Sequence, residues 1–200
     1  MRLSNFFVIL CKIIIMLKRI FIWLLRCTHC RGFGIQSPSA YQFVRYVINE
    51  HYPYYKYDDL RLQLNEMDTV QRLLAKLYFR LANYWQPCMV FNVQPAYAEF
   101  ISSGCLSSTI TDSLPLSLHN HSLLIMPADY ATIHATELIQ FVTQANANLL
   151  LVIEGIHKRK VKPLWKQLRQ TDKVSVSFDL YYCGILFFDN RIKQNYKINF

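Results

Sequence analysis

Two hundred residues, 52% of them hydrophobic and 14% aromatic, exclude a disordered chain and fit one domain, or one domain plus an appendage. Six cysteines scattered at positions 11, 27, 30, 88, 105 and 183 are too sparse and irregular for a secreted disulfide framework, which points to a reducing, cytoplasmic setting. The net charge of +9 is lopsided: residues 1–49 hold seven basic residues and no acid, and the remaining 151 hold 15 basic against 13 acidic. A nucleic-acid binder would spread its charge over the folded body, so nucleic acid is disfavoured as a partner.

The stretch from Phe6 to Leu25 is long enough to cross a bilayer, but Lys12, Lys18 and Arg19 interrupt it. Lys12, Arg19 and Arg26 recur every seven residues and share one helical face, which predicts a basic amphipathic helix over residues 1–30. Three readings stay open: a helix docked on its own domain, one in contact with a membrane surface such as the inner membrane, or a span or signal. Met16 is a second candidate start, and beginning there would remove much of the membrane signal. The lone CxxC at Cys27–Cys30 follows a helix and lacks a second ligand pair, so it predicts neither a zinc site nor a redox centre.

Residues 31–86 read as a helical cap. Gly32 and Gly34 end the first helix, and Ser37-Pro38 opens the next, with serine as cap and proline in the first turn. Tyr41, Val44, Tyr46, Val47 and Ile48 give that helix an apolar side. A short helix begins at Asp58-Asp59. Asp68 caps the following one, where Leu73, Leu74, Leu77, Leu81 and Tyr84 form a stripe with Arg72, Lys76 and Arg80 opposite.

At Gln86-Pro87 the pattern changes, and residues 87–200 read as an α/β domain. Residues 88–93, 122–126 and 149–154 are continuous apolar runs, as in parallel strands buried on both faces. A helix from Tyr130 to Ala145 supplies a crossover, and a basic helix follows the third strand. Residues 173–180 and 184–188 then predict an antiparallel hairpin at the sheet edge, and 196–200 a final strand.

Helices, then parallel βα units, then a closing antiparallel pair: that order resembles a class I S-adenosylmethionine-dependent methyltransferase. The words "RGFGIQSPSAYQFV" (31–44), "YYKYDDLR" (54–61), "KLYFRLANYWQP" (76–87) and the tail from Ile153 to Phe200 look like methyltransferase-like proteins common in Bacteroidetes. The resemblance covers both ends of the chain and implies a reduced Rossmann-like sheet. Its middle departs from the family. The acidic residue and glycine-rich turn that cradle the cofactor are replaced by Phe91-Asn92-Val93-Gln94-Pro95-Ala96-Tyr97. Two βα units shrink to the 28 residues from Gln94 to His121, room for one short strand, and Asp112 is the only acid late in that stretch. The family's strand-ending Asp-Asp-Ile-His becomes Glu154-Gly155-Ile156-His157. The resemblance implies methyltransferase ancestry, and these departures from it predict a non-catalytic relative, a pseudoenzyme with no cofactor, its turn at Val93–Tyr97 filled by side chains. The alternative is an active enzyme that uses Glu154 and His157 as catalytic groups, S-adenosylmethionine as cofactor and a small hydroxyl or amine as acceptor. His51, His119, His121 and His134 carry no ligand pattern.

Overall fold

The computed structural model describes residues 2–50, 52–114 and 121–200. Helix α1 (Arg2–Leu25) and a short 3-10 turn (Cys27–His29) lead into a loop that needs the left-handed backbone of Gly32 and Gly34. Helix α2 (Pro38–Phe43) starts as its sequence predicts: Ser37 Oγ accepts from the Ala40 N–H and Pro38 fills the first turn. It widens into a π-helical turn (Val44–Ile48), where Asn49 N–H reaches back to the Val44 carbonyl. Two short helices, α3 (Lys56–Asp59) and α4 (Arg61–Glu66), precede the long α5 (Thr69–Trp85). Asp68 and Gln71 close a capping box at the start of α5.

Arg80 corrects the sequence reading. Expected on the polar side of α5, it is only 6% exposed, and Nε and Nη2 donate to the carbonyls of Val47 and Ile48 at 2.6 and 3.0 Å. The π-helical turn ends with free carbonyls against α5. A guanidinium satisfies two of them at once, which outweighs its removal from water. Leu73 and Tyr84, expected in the apolar stripe, are half-buried and exposed. Tyr41 and Tyr46 are exposed, and Ala40 and Phe43 bury the contacts instead.

The remaining elements are, in order, β1 (Met89–Asn92), α6 (Pro95–Gly104), β2 (Thr109–Thr111), β3 (Ser122–Met126), α7 (Ala128–Ile133), α8 (Ala135–Thr143), β4 (Leu149–Glu154), α9 (Lys162–Gln170), β5 (Val176–Asp179), β6 (Cys183–Phe187) and β7 (Gln194–Lys197). They build one mixed seven-stranded sheet in the order β2-β1-β3-β4-β6-β5-β7. β2, β1, β3 and β4 run parallel, and β6 is antiparallel to both its neighbours, β4 and β5. The single short strand expected between Gln94 and His121 is β2. The expected crossover helix is kinked into α7 and α8 at His134, whose ring pairs with Glu137 and stacks on Tyr130.

The hairpin does not lie at the edge. Its second strand, β6, inserts between β4 and β5, and β7 pairs in parallel with β5 to cover the remaining side. Burial drives this placement. All five residues of β6 are buried, whereas β7 alternates half-buried and exposed, as an edge strand does.

Two cores flank the sheet. In β3, Leu123 and Ile125 face α2, α5 and α6, and Leu124 and Met126 face α7, α8 and α9. Each fully buried leucine or phenylalanine contributes about 1.5–3 kcal/mol, so these two faces hold most of the apolar stabilisation.

Helix α1 touches this body at its carboxyl end. Arg26, 6% exposed, donates to the carbonyls of Asp179 and Ile198 and pairs with the Asp179 carboxylate at 2.5 Å. Asn199 completes the joint, its side chain donating to the Trp23 carbonyl and its N–H to that of His29. Of the predicted basic stripe, Arg19 and Arg26 meet the body, while the side chain of Lys12 lies outside those described. No helix among the described residues is both long and apolar enough to cross a membrane.

Candidate functional site

The sheet order reverses between β1 and β3. In open α/β sheets, ligands bind in the crevice outside the carboxyl ends of the strands at such a point. The turn leaving β1 is made without glycine. Asn92, buried, accepts the Gln94 N–H on Oδ1 at 3.2 Å and donates Nδ2 to the Gln94 carbonyl at 2.8 Å. Gln94 stays extended (φ −106°, ψ 101°), and Pro95 opens α6. An asparagine clasp thus closes the turn and takes up the Gln94 N–H that a phosphate-binding turn would offer to its ligand.

Gln94 then crosses the carboxyl end of β3. Its Nε2 donates to Glu154 Oε2 at 2.9 Å, at the end of β4, while Tyr78 of α5 donates its hydroxyl to Glu154 Oε1 at 2.6 Å. Tyr97 packs edge-on against Tyr78 with ring centroids 5.0 Å apart. The space over Val93–Tyr97 is therefore occupied by Asn92, Gln94 and Tyr97, with Pro95 and Ala96 exposed at its lip.

Burial raises the Glu154 carboxyl above its ordinary range, opposed by the bonds from Tyr78 and Gln94 and by the charge of Lys158. Burial and the adjacent Glu154 push the Tyr78 hydroxyl well up, and Tyr97 likewise. Cys183, opposite Glu154 in the β4–β6 pairing, is buried, and its thiol is raised far above the normal range by desolvation and by Glu154. It is held as an inert thiol. The cluster can hold a proton, but it presents no activated nucleophile.

A carboxyl raised in the folded state favours folding below the unfolded value of about 4.3 and loses that contribution as pH rises through the folded value. Glu154→Gln is therefore expected to gain stability relative to the parent between pH 4.5 and 7.5. Urea melts at both values check this, and a constant difference would show that the carboxyl is not raised.

His157 sits apart from Glu154. Gly155 turns the chain at φ +66°, where a Cβ would meet the Ala128 side chain at 2.9 Å, so an acid at position 155 has neither the backbone nor the room. The His157 ring stacks on Tyr181 at 4.5 Å, and its Nδ1–H donates to the Tyr181 carbonyl at 3.0 Å. Desolvation lowers its pKa, helped by Lys18 and Lys158 and opposed by the Tyr181 carbonyl and Asp179. Glu154 thus belongs to α5, α6 and the end of β1, and His157 to the β5–β6 turn.

Gln94 and Glu154 stand out separately in the sequence, and Tyr78 does not. These residues lie 60 and 76 positions from Glu154, and no local pattern joins them. His121 stacks on Trp85, and Asp112 is exposed on the loop after β2. Cys30 accepts a hydrogen bond from Asn199, and Cys27 is exposed. His51 and His119 lie outside the described residues. Among the described residues no group of three or more His, Cys, Asp or Glu side chains is placed to hold a metal. No protein-family model, curated protein or solved structure matches the chain.

Proposed function

We propose that the chain is a reduced, Rossmann-like methyltransferase relative whose cofactor crevice is closed by its own side chains, and that it works as a binding or structural domain and not as an enzyme. The observation that carries this is the Tyr78–Glu154–Gln94 network, which lies across the point where the sheet order reverses. The order β2-β1-β3-β4 is that of doubly wound sheets, and the inserted antiparallel β6 agrees with the closing pair of the resemblance. A cofactor entering over β1 would have to displace Gln94 and leave a buried carboxylate short of a partner, at about 1–3 kcal/mol. Glu154 and His157, which an active enzyme would use together, have different partners.

Calorimetric titration of the full chain with S-adenosylmethionine tests the reading. No heat of binding is expected up to millimolar cofactor. Saturable binding in the low micromolar range would overturn it and favour the active alternative, with a small hydroxyl or amine as acceptor.

A further inference from the structure

The exposed surface of α1 is inverted relative to an ordinary surface helix. Arg19, Ile22 and Arg26 turn toward the body, where Arg19 is hydrogen-bonded to the Tyr182 hydroxyl and Arg26 is buried. On the opposite side Leu10, Ile13, Ile14, Leu17, Phe21, Leu24 and Leu25 are all exposed, from 41% at Leu10 to 66% at Leu25. At about 100° per residue these seven positions fill an arc of about 120°, wider than a domain helix needs for its buried stripe.

A row of cations lies at the same end of the molecule. The turn after β4 carries Lys158, Arg159, Lys160 and Lys162, all exposed and with no acid among residues 157–162. Two observations tie this row to α1. A cleft of about 360 Å³ has Arg26 on one wall and His157 and Lys162 on another. Lys18 of α1 and Lys158 of the turn also both act on the His157 ring. Lys18 is itself exposed, on the flank of the apolar arc.

We propose that the apolar arc of α1 and the cationic turn 157–162 together form a docking surface for an anionic lipid bilayer, the arc entering the headgroup–acyl boundary and the cations meeting lipid phosphates. Charge selects this occupant. Lys18 flanks the arc and the turn 157–162 carries four exposed cations and no acid, so a second copy docked face to face would bring like charges together with no carboxylate between them. An anionic surface meets both halves of the feature at once, the apolar arc by burial and the lysines and arginines by attraction. The charges that interrupt α1 suit a helix lying in the interface.

Flotation of the full chain with vesicles tests this, because bound protein rises while aggregated protein pellets. The chain is expected to float with equal parts phosphatidylcholine and phosphatidylglycerol, to float poorly with phosphatidylcholine alone, and to release as salt rises. Phe21→Glu with Leu24→Glu should abolish flotation. Lys158→Gln, Arg159→Gln and Lys160→Gln together should lower partitioning on the order of a hundredfold, each cation contributing about fivefold. All five positions are exposed, so both variants should melt with the parent. Absence of flotation with anionic vesicles overturns the proposal, as does equal flotation with both compositions. A dimer in analytical ultracentrifugation that the Phe21/Leu24 variant converts to monomer also overturns it and assigns the arc to a second copy.

Discussion

Arg26→Met is expected to lower the stability of the full chain by about 2–4 kcal/mol. The methionine keeps the apolar stem but removes the guanidinium from the Asp179 carboxylate and from the carbonyls of Asp179 and Ile198. Deleting one member of a buried pair typically costs about 3–5 kcal/mol, because the other is left behind. Asp179 is partly exposed and keeps the Tyr181 N–H on Oδ1, which places the loss below the top of that range. Urea melts measure it. Arg26→Lys should recover only part, since an ammonium cannot reach three acceptors in fork geometry. The methionine variant should also expose the Trp23–Cys30 joint to limited proteolysis. A melt within 0.5 kcal/mol of the parent, on the order of an ordinary surface substitution, would remove Arg26 as the anchor of α1.

Gly104→Ala should cost about 3 kcal/mol, at the upper end of what overpacking produces. A Cβ at this last residue of α6 would stand 2.4 Å from the Phe79 carbonyl oxygen and 3.1 Å from the Ala82 Cβ, both on α5. The obstacle is helix backbone, which cannot swing aside as a side chain does, so α5 and α6 must part. The parting would also strain the Gln86 clasp, in which Nε2 donates to the Gly104 carbonyl and Oε1 accepts the Leu106 N–H. For a chain of this length the melting temperature should fall by about 6–12 °C. Gly34→Ala is the internal control. A Cβ there meets nothing within 4 Å, and only the φ of +80° resists it, so a loss of about 1 kcal/mol is expected. Equal losses at the two glycines would refute the close-approach account of Gly104.

What the sequence made legible was local. Ser37-Pro38 and the Asp68–Gln71 box start their helices because a cap and its target lie within one turn. The three apolar runs became β1, β3 and β4 because a strand buried on both faces has little choice of composition. What it hid depends on distant partners. Arg80 shares the spacing of Arg72 and Lys76, and only the carbonyls of Val47 and Ile48 turn it inward. The hairpin was legible but its insertion was not, since the strand that borders it lies elsewhere in the chain. In the candidate site, Glu154 and the absence of glycine after β1 could be read directly. The Asn92 clasp, the reach of Gln94 over β3 and the role of Tyr78 required the fold.

The joint that holds α1 joins positions 153 residues apart at Arg26 and Asp179, and farther still at Arg26 and Ile198. During synthesis at about 5–20 residues per second, roughly 10–30 s separate the emergence of α1 from that of its seat. Through this interval the helix has no tertiary partner of its own, and its apolar arc is open to whatever lies beside the ribosome. The order of events is therefore built into the chain: α1 meets its surroundings first and its own domain last.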